Sequence, residues 1–185
     1  GVQNSSNTGI ELRPYGLIRR SGAPKDLKNF FILHEGLVRM SDEALAEDSY
    51  DKMRDYVFND REGSNAERIE VAQDGWIGFT DHFWMTALVP QPNSSFRSTG
   101  KYYAAADIFQ VETVLPKVSI ATGQNTVVQS QFFAGAKDWS IIRTYEKQGV
   151  KGFLDSIDWG WFFFLTKPMF FVLHWLNFYI GNMGW

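Results

Sequence analysis

Hydrophobic and polar residues alternate along most of this chain with the period of a strand. Glu67 to Ala72 alternates charged and aliphatic side chains, Asp74-Gly75 breaks the run, and Trp76-Ile77-Gly78-Phe79-Thr80 starts it again. A period of two is that of a sheet with a buried face, and Asp-Gly between two such runs marks a turn. Asp81 to Pro90 continues with nearly unbroken apolar character, as expected of a strand buried on both faces. Upstream, Ile10 to Arg20 alternates loosely and stops at Ser21-Gly22-Ala23-Pro24. Asn29 to Met40 reads as a strand pair, or as one long strand bent at Gly36. The acidic stretch Ser41 to Met53 fits a helix or an exposed edge, and Arg54 to Asn59 reads as a strand before the loop Asn59 to Gly63.

Downstream of a polar loop from Pro90 to Ser98, three short strands are expected over Lys101–Phe109, Gln110–Leu115 and Lys117–Thr122. Gly123-Gln124-Asn125 then turns the chain into a last one over Thr126–Ala134. Short strands with turns every eight to twelve residues or so predict an all-β sandwich. One soluble helix interrupts them, over Lys137–Gln148. Asp138 can cap its start, Trp139, Ile142 and Tyr145 share a face, and Gly149 can end it. A joint near Val150 to Ser156 separates an expected β domain, residues 1–156, from residues 157–185.

That terminal piece has a different pattern. Trp159 to Ile180 has about the length of a membrane-spanning helix. It also holds Lys167, His174 and Asn177, and a lysine at a bilayer centre costs roughly 2.5 to 3.5 kcal/mol. At about 100° per residue from Thr166, Asn177 falls at about 20°, His174 at about 80° and Lys167 at about 100°. The polar groups thus share one sector, and the rest of the circumference is aromatic and aliphatic. A narrow polar face beside a broad apolar one predicts a helix lying in the membrane interface, with a true span and a buried core helix as the alternatives. The residues expected at that interface are Trp159, Trp161, Phe162, Phe164, Lys167, Phe171, His174, Trp175 and Tyr179. Pro168 either kinks the helix or opens it, and Gly181-Asn182-Met183-Gly184 ends it.

Composition narrows the function further. The chain has 185 residues, a net charge of −3 and a sequence pI of about 5.6, which argues against a nucleic-acid partner. It contains no cysteine, which removes disulfides, thiolate metal sites and a cysteine nucleophile. Without an initiator Met or a signal peptide it reads as a piece of something longer, and Trp185 as the start of a further segment. Asn4 and Asn93 open Asn-x-Ser sequons, which count only in a eukaryotic secretory setting.

Chemistry-bearing motifs are few. His34, His82 and His174 have no zinc-motif spacing, so no metal and no cofactor are expected. His34-Glu35 and Asp81-His82 are adjacent pairs whose side chains alternate across a strand, which does not by itself make an acid–base set. No nucleophile elbow, phosphate loop or dinucleotide fingerprint occurs, and no catalytic residue is assigned. The acidic run from 42 to 60 reads as a solvated face.

The segment from Asp158-Trp-Gly-Trp-Phe-Phe-Phe-Leu-Thr-Lys-Pro-Met-Phe to Gly181-Asn-Met-Gly-Trp185 closely resembles the entry to the membrane core of bacterial YidC-type insertases. Pro14-Tyr-Gly-Leu-Ile-Arg-Arg, Ile32-Leu-His-Glu-Gly, Gly75-Trp-Ile-Gly-Phe-Thr-Asp-His-Phe-Trp-Met-Thr-Ala-Leu-Val-Pro and Phe133-Ala-Gly-Ala-Lys-Asp resemble parts of that family's periplasmic domain. The resemblance implies a mainly β, supersandwich-like periplasmic domain, incomplete here, with a short helix and a C-terminal amphipathic interfacial helix. It implies a place on the periplasmic side of the inner membrane and a share in inserting and folding membrane proteins. The implied partners are the lipid surface, the rest of the insertase core, nascent membrane proteins and Sec translocon subunits. No groove residue of such an insertase falls within this chain. Two other readings stand beside it. One is a carbohydrate-binding or aldose-epimerase-like module, for which His34, Glu35, His82, Trp76 and Trp84 are the raw material. The other is a β domain anchored by a single span over residues 159–180.

Overall fold

The computed structural model describes residues 1–25, 27, 33–157 and 163–180. In chain order the elements are β1 (Val2–Gln3), β2 (Ile10–Leu12), β3 (Tyr15–Ser21), β4 (Gly36–Ser41), β5 (Ala44–Ser49), α1 (Tyr50–Arg54) and β6 (Phe58–Asn59). They continue with β7 (Ser64–Val71), β8 (Gly75–Thr80), β9 (Trp84–Pro90), β10 (Phe96–Tyr103), β11 (Ile108–Val114) and β12 (Val118–Ile120). The last are β13 (Asn125–Thr126), β14 (Ser130–Ala136), α2 (Trp139–Lys147), a 3-10 turn over Phe153–Ser156 and α3 (Phe163–Ile180).

Two five-stranded antiparallel sheets carry the fold. An outer sheet has the order β3-β11-β10-β7-β6 and a central sheet the order β14-β9-β8-β4-β5. The central sheet is covered on both faces. Leu37 of β4 with Ile77 and Phe79 of β8 pack on Phe109 and Val111 of the outer sheet, joined by Tyr50 and Met53 of α1. The alternate residues Val38, Met40, Trp76, Met85, Ala87, Val89 and Phe133 point the other way, onto Ile142 of α2, Val150 and Phe153. The result is three layers, outer sheet, central sheet and helix, with strand alternation sorting side chains between two cores. The strands buried on both faces are β4 and β8, whereas β9, where that pattern was expected, alternates buried Met85, Ala87 and Val89 with Trp84, Thr86 and Leu88 that are exposed or half-buried. Gly78 is where β8 and β9 approach most closely, since a Cβ there would run into the Thr86 carbonyl.

Several expected boundaries move, among them that of the strand expected over Lys101–Phe109, which covers the end of β10, a 3-10 turn over Ala104–Ala106 and the start of β11. The 41–53 stretch is both an edge strand and a helix, because Ser49 caps α1 by accepting from the Lys52 N–H while Tyr50 and Met53 are buried. The strand expected over Arg54–Asn59 shrinks to Phe58–Asn59, since α1 takes Arg54. The apolar run from Asp81 to Pro90 hides a hairpin turn, in which the Asp81 N–H donates to the Trp84 carbonyl at 2.8 Å. The soluble helix forms as expected. The Asp138 carboxylate accepts from the Ser140 and Ile141 N–H groups at 2.8 and 3.2 Å, and Gly149 follows the helix at a φ of +97°. The expected break near Val150 to Ser156 is itself packed, with Val150, Phe153 and Ser156 all buried. Residues 29–32 of the expected Asn29–Met40 strand lie outside the described residues.

Candidate membrane-facing site

Trp139 is the hinge of the site. It opens α2, directly after the Asp138 cap and the end of β14, and is itself buried. Ile142 and Tyr145 of the same helix face the central sheet, whereas Trp139 takes α3: its ring centroid stands 5.6 Å from those of Phe170 and Phe171 and 4.5 Å from the His174 ring. The Arg143 guanidinium lies over the Trp139 ring at 4.7 Å, a cation–π contact that holds the indole from within α2. Hydrogen bonds from Ser140 and Ile141, with a smaller contribution from the charge of His174, hold the Asp138 carboxyl below its ordinary value. Between the start of α2 and α3 lies an open cleft of about 610 Å³, lined by Lys137, Asp138, Trp139, Ser140, Ile157, Thr166, Phe170 and His174.

The orientation of α3 follows from its burial pattern. Among its described side chains the half-buried ones are Phe170, His174 and Asn177. They lie in the sector that the helical wheel assigns to the polar groups, so that part of it faces the protein's own domain, with His174 against Trp139, while Thr166 in the same sector is exposed. Facing away is an arc of Met169, Val172, Leu173, Trp175, Leu176 and Tyr179, all exposed, Trp175 to 59% and Tyr179 to 68%, with Phe171 at its edge, exposed to 40% while its ring also meets Trp139. Trp175 and Tyr179, one helical turn apart, meet at 4.9 Å between centroids with their rings tilted. The helix runs through Pro168 without ending there. Among the described residues no helix is long and apolar enough to cross a membrane.

The residues anticipated at an interface therefore divide. Phe171, Trp175 and Tyr179 stand on the open arc, and His174 is turned toward α2. Phe164 and Lys167 belong to α3, but their side chains lie outside the described residues, as do Trp159, Trp161 and Phe162 altogether. Trp139, Phe170 and Arg143, which seat the helix, were not legible as a group. Their only signal was a tryptophan placed directly behind a helix cap.

The set that a sugar site would need loses one of its two tryptophans. Trp76 is fully buried and donates its indole N–H to the Lys151 carbonyl at 3.1 Å, which removes it from any cleft. His34 bonds the Leu37 carbonyl at 2.8 Å, and the His82 ring packs edge-on to Phe83. Asp81 is ion-paired with Arg20 at 2.9 Å and accepts from the Tyr50 hydroxyl at 3.2 Å. Among the described residues no group of acidic, histidine or cysteine side chains is arranged to hold a metal ion.

Comparison with known proteins points one way. A family model described as the YidC periplasmic domain matches residues 1–172. The chain is 56% identical over 184 residues to the membrane protein insertase YidC of Roseobacter denitrificans, covering 100% of this chain and 30% of that protein. It is 54% identical over 183 residues to the protein of the same name in Ruegeria sp. strain TM1040, and 48% identical over 201 residues to that of Jannaschia sp. strain CCS1. It spans 30% and 32% of those two relatives. With a family model matched over nearly its whole length and a sandwich that ends in an aromatic helix, the chain belongs to the YidC periplasmic-domain family.

Proposed function

We propose that this chain is the periplasmic and interfacial portion of a membrane protein insertase, seated on the outer face of the bacterial inner membrane. The whole protein would insert and fold inner-membrane proteins, alone or beside the Sec translocon, and this portion would contribute no catalysis. Residues 1–156 form its periplasmic domain and residues 157–185 its membrane-facing end. The observation that carries the reading is the apolar arc of α3, left open on a chain of this family. A contiguous exposed apolar surface on one helix marks a partner or a membrane, because water alone does not favour it. Tryptophan and tyrosine on the arc suit the headgroup depth, where one edge of the ring is apolar and the other can hydrogen-bond. The polar stripe of the helix meets its own domain through Trp139, so α3 acts as a bracket between the β sandwich and the lipid.

Vesicle flotation tests this. The chain is expected to float with vesicles of phosphatidylcholine and phosphatidylglycerol. V172S/W175S should lose about tenfold or more in binding, since each exposed apolar side chain withdrawn from lipid forfeits on the order of 1.5 kcal/mol. Undiminished flotation of that variant would sink the reading.

A further inference from the structure

A second exposed aromatic feature stands at the tip of the β8–β9 hairpin. Phe83 is 66% exposed and Trp84 64%. Tight hairpin tips ordinarily take Asn-Gly or Gly-x, because the favoured turns need positive φ. Here the tip residues are His82 and Phe83, and neither has positive φ. Nothing in the turn itself asks for aromatic rings, yet the His82 ring packs edge-on to Phe83 at 4.0 Å and braces it outward.

The tip is tied to the seat of α3. The Phe83 carbonyl accepts from the Lys137 N–H at 2.8 Å, and Trp84 pairs with Ala136, the last residue of β14. Lys137 in turn lines the cleft it shares with Phe170 and His174, and Trp139 carries α3 two residues later. The hairpin tip and α3 therefore occupy one end of the domain. Ile141, half exposed in the first turn of α2, adds apolar surface nearby.

We propose that the Phe83–Trp84 tip is a second membrane contact, entering the headgroup region of the same leaflet on which α3 lies. The proposal rests on the interfacial reading of α3 and extends it. A single helix in the interface fixes where the domain is attached but leaves its tilt open. A second contact on a rigid hairpin fixes the tilt, and tethering to α3 makes its insertion effectively intramolecular. The β sandwich is then held at a set angle above the leaflet.

Because the chain has no cysteine, F83C accepts a single nitroxide without further changes. On the full chain bound to phosphatidylcholine–phosphatidylglycerol vesicles, that label is expected to lose collisions with a water-soluble nickel complex and to gain collisions with oxygen. F83S/W84S is expected to bind the same vesicles about threefold to tenfold more weakly at an unchanged melting temperature, because both side chains are already solvated in the free protein. A label that stays fully open to the nickel complex while the chain is vesicle-bound overturns the proposal. So does undiminished binding of F83S/W84S when V172S/W175S has lost binding, which leaves the α3 reading intact. Absence of vesicle binding by the unaltered chain overturns both.

Discussion

The β sandwich and α3 draw on the same residue types and treat them in opposite ways. In the sandwich, Trp76, Phe109 and Phe153 are fully buried, and Phe153 meets the rings of Trp76, Phe133 and Tyr145 at 5.1, 5.5 and 5.2 Å. In α3, Trp175 and Tyr179 touch each other in the open with their rings tilted. Aromatic rings in the first region are consumed by the fold, and their loss would be felt as stability. Rings in the second contribute little to the fold, and their loss would be felt only when something covers them. Hydrophobicity alone therefore does not separate core from contact surface; the neighbours do.

That contrast can be broken most directly in the core. Phe153→Ala is expected to cost about 3–5 kcal/mol of unfolding free energy, because it empties a site walled by three other rings that cannot collapse into it. Chemical denaturation would measure it, and a loss below about 1 kcal/mol would mean that the packed segment from Val150 to Ser156 is not part of the domain's core. At the boundary between the two regions, Asp138→Ala removes the cap of α2 and is expected to cost about 1 kcal/mol. The same change should loosen α3, since Trp139 starts in the capped turn, and this would appear as faster amide exchange along 169–179.

Acid offers a further test of the sandwich alone. Asp42 is held below the ordinary aspartate value of 3.8 by the N–H groups of Ala72, then of Asp74 and Gln73. Asp74 is held down by Lys151 and by the Asn93 N–H. Both carboxyls have a lower value folded than unfolded, so their contribution is complete above the unfolded value and is lost as pH falls through the folded ones. The melting temperature should therefore be flat above about pH 5 and fall below about pH 4, and Asp74→Asn should reduce that slope. The smallest expected effect on stability is that of Trp175→Ser, within about 0.5 kcal/mol by denaturation, with its cost appearing only in vesicle binding.

The sandwich was legible wherever local pattern and tertiary role agreed. The runs around Asp74-Gly75 became β7 and β8, and Asp138 and Gly149 bounded α2 as their chemistry predicts. The hairpin tip was missed because it carries no glycine or proline, so the apolar run through Phe83 and Trp84 looked continuous. α1 is legible only as one of two alternatives over Ser41 to Met53, because its burial comes from Tyr50 and Met53 meeting Phe79, Phe109 and Val111, strand residues distant in sequence. At the site, the amphipathic division of α3 was readable from the wheel, but its direction was not. Which side faces the domain is decided by Trp139, and nothing in residues 163–180 refers to it.

The proposed geometry has α3 lying along the membrane surface with its apolar arc toward lipid. Single nitroxides at M169C, V172C and W175C, read by oxygen against nickel accessibility on the vesicle-bound chain, test it. In a helix lying flat, all three positions share one shallow depth near the headgroups, and a fourth label at Asn177, on the domain side, stays wetter. Depth changing steadily along the helix by about 1.5 Å per residue would instead describe a helix crossing the bilayer, and the claim would fall.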